Sequence, residues 1–148
     1  MRALIQRVTK GSVSINAVVN GKIGKGTVIL LGVKEGDSEE DAKYLAQRCA
    51  QARIFEDENE KMNLSLLDIK GEALVISQFT LYGDTRKGNR PSYTEAAKPD
   101  IAENLYNKFC EFLKIHLGEE KVATGIFRAM MLVEILNDGP VTIMIESK

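Results

Sequence analysis

The sequence predicts a single α+β domain, a largely antiparallel sheet or barrel carrying two main helices. Three observations predict it. Short apolar runs rich in β-branched residues cluster at both ends of the chain and in its middle. Two other stretches carry apolar residues at helical spacing. No repeat, low-complexity segment or linker divides the 148 residues, so residues 1–148 form one unit of ordinary domain size.

Taken in order, residues 2–8 and 12–19 read as strands, and Asn20-Gly21 before Ile23 is a type I′ hairpin signal. Residues 27–33 (TVILLGV) are almost continuously apolar, which suits a strand buried on both faces. Ser38 caps a helix whose first turn holds Glu39, Glu40 and Asp41 at the positive end of its dipole. Its buried stripe is Ala42, Leu45, Ala46, Cys49 and Ala50. Residues 53–55 make a short strand, and the polar residues 56–63 a loop. Residues 73–81 (ALVISQFTL) form another strand, followed by a turn-rich loop over 83–92. A second helix starts at Pro99, which suits a first-turn position, and stops at Gly118. Its expected stripe is Ile101, Leu105, Phe109, Phe112 and Leu113. A hairpin closes the chain: residues 130–136, a turn at Asn137-Asp138-Gly139-Pro140, then residues 141–146.

Composition removes several function classes. Apolar residues at 44% supply a core, and charged residues at 28% keep the surface soluble. The net charge of -1 means that any RNA contact is local, and no DNA partner is expected. No run approaches the roughly 20 apolar residues of a membrane span. The opening MRALIQRVTK lacks the apolar core of a signal peptide. Cys49 and Cys110 fall in separate helical patterns, so a reducing cytoplasm is expected rather than a disulfide framework. One histidine and two scattered cysteines make no metal site, and no cofactor motif is present. His116 sits in the last turn of the second helix, where a cation complements the dipole. A serine hydrolase therefore lacks its usual base.

Three features remain for chemistry. Strand alternation over 77–81 turns Ser77, Phe79 and Leu81 one way and Gln78 and Thr80 the other. A polar pair at a strand end suits a rigid site, although Ser and Thr also occur routinely in strands. Pro140 offers no N–H to a ladder, so it belongs at a strand start, an edge or a bulge. With Gly139 it exposes carbonyl oxygens under little side-chain cover; on the residues alone an ordinary hairpin turn is the better account of the pair. Arg86, Lys87 and Arg90 put three positive charges within five residues, enough to hold phosphates or simply to solvate a loop.

Together these motifs resemble the D-aminoacyl-tRNA deacylase family across essentially the whole chain. The likeness runs through Met1-Arg2-Ala3-Leu4-Ile5-Gln6-Arg7-Val8, Leu31-Gly32-Val33, Arg53-Ile54-Phe55 and Lys61-Met62-Asn63. It continues through Ser77-Gln78-Phe79-Thr80-Leu81 and Lys87-Gly88-Asn89-Arg90-Pro91-Ser92-Tyr93, with Tyr93 for the usual Phe. Thr124-Gly125-Ile126-Phe127 and Asn137-Asp138-Gly139-Pro140-Val141-Thr142 complete it. The resemblance implies hydrolysis of the ester between a D-amino acid, or glycine mischarged on alanine tRNA, and the terminal adenosine of tRNA. It implies a homodimer with two active sites at the interface, the tRNA acceptor end as partner, and no cofactor. Ser77, Gln78, Phe79 and Thr80 are then expected to line the pocket, and Phe127 and Met131 to cradle the adenosine. Gly139-Pro140 is expected to be cis and to enter the partner subunit's pocket. Arg128 departs from the family pattern, since many relatives carry Gly or Ala there; a guanidinium at that point can approach a phosphate.

In this reading an activated ester needs no protein base: water attacks with help from the RNA 2′-hydroxyl. Main-chain N–H groups near Phe79 and Thr80 steady the oxyanion. Thr80 as a nucleophile ranks second, because no residue in the sequence obviously activates it. A non-catalytic RNA-binding module and a small-molecule esterase are the rival classes.

Overall fold

A computed structural model describes all residues, Met1–Lys148. The first strand, β1 (Arg2–Ile15), is continuous, where two separate strands were expected. Its hairpin to β2 (Val18–Ile23) turns at Asn16-Ala17, not at Asn20-Gly21. Both turn residues have positive φ, 50° and 64°, as a type I′ turn requires. Asn20 is instead the extra residue of a bulge, since Val13 pairs with Gly21 and Ser14 with Val19. Glycine is needed at 21 for closeness: a Cβ there would lie 3.1 Å from the Thr124 carbonyl oxygen.

The apolar run forms β3 (Gly26–Gly32), antiparallel to β1 and parallel to β6 (Glu72–Ser77). Between them runs α1 (Glu39–Gln51), capped as expected. The Ser38 hydroxyl accepts from the Asp41 N–H while the Asp41 carboxylate accepts from the Ser38 N–H. All five residues of its expected stripe are buried. The reading of 56–63 as a loop is partly corrected: β4 (Phe55–Glu56) pairs with β5 (Met62–Leu64), and only the polar tip between them is a turn.

A second crossover, α2 (Pro99–Leu117), leads to β7 (Val122–Thr124), parallel to β6 and not foreseen from its three residues. The sheet is thus mixed, with the strand pairs around β1 antiparallel and those around β6 parallel. β2 folds toward β7, where the Asn20 side-chain amide donates to the Thr124 carbonyl at 2.9 Å, so the sheet curls toward a barrel. Of the expected α2 stripe, Leu105, Phe109 and Leu113 are buried, while Ile101 is exposed and Phe112 only half-buried. Ala102, Tyr106 and Cys110 also face inward.

The C-terminal hairpin does not exist. Residues Leu132–Glu146 form one strand, β8, antiparallel to β1 along its whole length. Leu132 to Ile135 pair with Ser14 to Gly11, and Thr142 to Glu146 pair with Gln6 to Arg2. Asp138 to Val141 bulge out opposite Arg7. A hairpin and a large bulge demand the same turn-forming residues; β1 is long enough to receive both halves, and that decides for the bulge.

Strand alternation sorts the apolar side chains to two faces. Ile5, Ile29, Leu31 and Val75 join both helices, with Leu45, Phe55, Phe109 and Leu113, in the main core. Each such side chain contributes about 1.5–3 kcal/mol on burial. Val8, Val13, Val28, Leu74 and Ile76 form a smaller core on the opposite face, covered in part by Met131, Val133 and Ile135.

Candidate active site

The expected strand over 73–81 ends at Ser77, which pairs with Leu31. Residues Phe79–Tyr82 wind into a 3-10 turn that packs on Gly32. A Cβ at Gly32 would come within 3.2 Å of the Gln78 carbonyl, Leu81 and Tyr82. The alternation expected for 77–81 therefore fails beyond Ser77, and Phe79 and Thr80 are exposed at the strand's end. The turn has a chemical consequence. The Gln78 N–H is used, donating to the Leu31 carbonyl at 2.8 Å. The N–H groups of Phe79 and Thr80 open the turn ahead of its first donor, the Leu81 N–H, which donates to the Gln78 carbonyl at 3.3 Å; neither donates elsewhere in the chain. Two adjacent main-chain donors stay free on a rigid support. The Gln78 side-chain amide donates to the Thr80 hydroxyl.

Ser77, Gln78 and Phe79 line one wall of an open cavity of about 420 Å³. Phe127, Arg128, Met130 and Met131, on the segment between β7 and β8, also line it. The floor is apolar: Leu31, Val33, Ile76 and Ala102. Tyr106 completes it. Its ring lies 6.0 Å from that of Phe127, and its hydroxyl donates to the Val75 carbonyl at 2.9 Å. Burial raises its phenol above the ordinary range, with Cys110 beside it adding to the shift, so Tyr106 is a neutral wall. Tyr106 escaped the sequence reading because the expected α2 stripe was centred on Leu105, Phe109 and Leu113 and left out the neighbouring row Ala102, Tyr106 and Cys110, which is also buried. No Asp, Glu or His lines this cavity, so its lining offers no side-chain general base. His116 lies in the last turn of α2, outside the cavity lining.

The structure thus brings together Ser77, Gln78, Phe79, Phe127 and Met131 in one cavity, with Thr80 adjoining through Gln78. Arg86, Lys87 and Arg90 are not in its lining. Their loop is fastened beside it by Tyr93, whose ring meets Phe79 edge-on at 5.0 Å. Arg86 is committed locally: its Nε and Nη2 donate to the two Asp84 carboxylate oxygens at 2.9 and 2.7 Å. Those bonds hold the Asp84 carboxyl at about 2.

Gly139 and Pro140 are not in the cavity of their own chain. They stand exposed at the tip of the β8 bulge, joined by a cis peptide bond, with Gly139 at φ 110°. The bulge is held from beneath. Asn137 closes its neck, its Nδ2 donating at 3.0 Å to both the Arg7 and Val141 carbonyls. Its Oδ1 accepts from Gln6 at 3.2 Å and Thr142 at 3.1 Å, so its side-chain amide is fully used. Arg7, only 6% exposed, donates from Nη1 to the Ile54 carbonyl at 2.8 Å. Its Nε lies 3.1 Å from Asp138 Oδ2, an ion pair out of line for a hydrogen bond. Sequence reasoning missed this support. The available signal was an arginine in an otherwise apolar strand.

Comparison with known proteins shows what the whole chain is similar to. The family model for D-Tyr-tRNA(Tyr) deacylase matches residues 4–146. A D-aminoacyl-tRNA deacylase of Fervidobacterium nodosum is 55% identical, over 100% of this chain and 98% of that protein. A solved structure described as c-Myc DNA unwinding element binding protein superposes with a TM-score of 0.95 at 39% identity, covering 100% of this chain and 99% of that one. Another, described as a probable eukaryotic D-amino acid tRNA deacylase, shares the fold with a TM-score of 0.82 at 19% identity, over 98% of each chain. A cavity without acid or base, a bulged Gly-Pro tip and a match over nearly every residue lead to one assignment: the chain belongs to the D-Tyr-tRNA(Tyr) deacylase family.

Proposed function

We propose that this chain hydrolyses the ester joining a D-amino acid, or glycine mischarged on alanine tRNA, to the terminal adenosine of tRNA in the cytoplasm. The reaction takes place in the Ser77–Met131 cavity, completed by Gly139-Pro140 of a second copy. The observation that carries this reading is a mismatch within one chain. An apolar cavity with two free N–H donors at its rim lies open, and a side-chain-poor wedge stands exposed elsewhere.

A two-fold pairing of copies offers each wedge to the other's cavity. Exposed apolar side chains on β8 and just before it give such a pairing a surface: Met130, Leu132, Leu136, Ile143 and Met144. The adenosine rests against Phe127 and Met131, and the ester carbonyl points at the N–H groups of Phe79 and Thr80. Water adds to the carbonyl carbon, assisted by the RNA 2′-hydroxyl. The bond between the former carbonyl carbon and the ribose oxygen then breaks, the amino acid leaves as its carboxylic acid, and the proton passes to the departing ribose oxygen. Losing one such oxyanion donor typically costs about 10²–10³-fold in rate. The α-amino group is held by carbonyls such as that of Gly139. An L side chain then meets the Gly-Pro backbone, a D side chain points outward, and glycine has nothing to clash. Arg86, Lys87 and Arg90 attract the tRNA backbone as it approaches.

The test is release of amino acid from D- and L-aminoacyl-tRNA, with and without the terminal 2′-hydroxyl. The reading expects D release, no L release and a slow deoxy substrate. Binding without release would leave an RNA-binding module. Equal cleavage of D-amino acid esters lacking the 2′-hydroxyl would leave a small-ester hydrolase.

A further inference from the structure

We propose that Arg128 binds a phosphodiester of the RNA strand whose 3′ end enters the cavity, setting the preference for a polynucleotide over a bare aminoacyl nucleoside. The proposal rests on the functional reading above. Arg128 is the one charged side chain in the cavity lining. No carboxylate pairs with it and no protein group accepts from its guanidinium. The residue is exposed. Arg86, by contrast, is held by both oxygens of Asp84. An unpaired guanidinium beside an apolar cavity matches an anion whose apolar end fills that cavity. Its planar fork suits two oxygens of one phosphate.

The backbone gives a second, independent observation. Ile126 to Ala129 form a turn closed by the Ala129 N–H donating to the Ile126 carbonyl at 3.2 Å. Arg128 is the third residue of that turn and has φ 64°. Glycine or asparagine favours this position, and a long L side chain there costs stability. Strain of this kind at a cavity wall points to a role for the side chain itself. The turn places Arg128 directly after Phe127, so a base against Phe127 brings its own strand past the guanidinium.

Two variants and two substrates test this. Arg128→Gly removes the charge and suits the backbone; Arg128→Lys keeps the charge without the fork. Each is assayed on D-aminoacyl-tRNA and on D-aminoacyl-adenosine, which has no phosphate, over a range of salt concentrations. For Arg128→Gly, the ratio of kcat/KM for tRNA over adenosine ester should fall about tenfold. The salt dependence of KM for tRNA should lose about 0.7 in logarithmic slope for the one phosphate contact removed. The melting temperature should hold or rise. Arg128→Lys should keep the slope and recover part of the ratio. Free inorganic phosphate should inhibit weakly if the site takes any phosphate, and not at all if it needs the tethered strand. An unchanged ratio and slope in Arg128→Gly would overturn the phosphate assignment alone. No release from D-aminoacyl-tRNA by the unaltered chain would overturn the functional reading and this assignment with it.

Discussion

Gly139 has two physical reasons to be glycine. Its φ of 110° lies where L side chains are rarely found. A Cβ there would also stand 2.9 Å from Arg7 Nη2 and 3.0 Å from Val141 Cγ2. Gly139→Ala must therefore shift the bulge or its buried guanidinium. A displacement of that order costs about 10²-fold in a positioned reaction, so D-aminoacyl-tRNA hydrolysis should fall at least that far while circular dichroism stays unchanged. Thr80 makes the contrasting case. Its hydroxyl accepts from Gln78 and no base lies in the cavity beside it. Thr80→Ala should lose less than the roughly 10²-fold that marks a group taking part in proton transfer. A loss as complete as that of Gly139→Ala in the same assay would make the hydroxyl the nucleophile. At this scale the sequence singled out Ser77, Gln78, Phe79, Phe127 and Met131, and these five line one cavity. Arg7 and Asn137 were not, because their roles exist only across the β1–β8 pairing.

Elements were legible where one periodicity ran uninterrupted. α1 announced itself by cap, first-turn acids and stripe, and all three hold in the structure. Its Asp41 also makes stability depend on pH. Burial alone would raise this carboxyl, but bonds from the Ser38 hydroxyl and N–H, with Lys148 and Ser147, hold it well below the usual carboxylate range. A depressed folded value stabilises above the ordinary Asp range near about 3.9 and is lost as pH falls through the folded value. Melting temperature should thus fall below about pH 4, and Asp41→Asn should flatten that part of the curve; an unaltered slope would remove Asp41 from the account. β6, β7 and β8 were less legible. The 3-10 turn after Ser77 continues an apolar pattern that reads as strand, and β7 is too short to signal itself. The β8 bulge uses hairpin residues, and only the length of β1 separates the two outcomes.

The whole molecule has an open cavity and an exposed Gly-Pro tip that do not meet within one chain. In the proposed pairing, each cavity takes the other copy's tip, so a lesion in the tip and a lesion in the cavity belong to different sites. The most direct test joins the two in one dimer. A chain carrying Gly139→Ala and a chain carrying Phe127→Ala are co-expressed with different tags, and the mixed dimer is purified. Each parent dimer should be nearly inactive on D-aminoacyl-tRNA. The mixed dimer has one site with both lesions and one with neither, so it should regain about half the unaltered activity per dimer, if the sites act independently. A mixed dimer as inactive as its parents would mean that tip and cavity act within one chain, and would contradict the account.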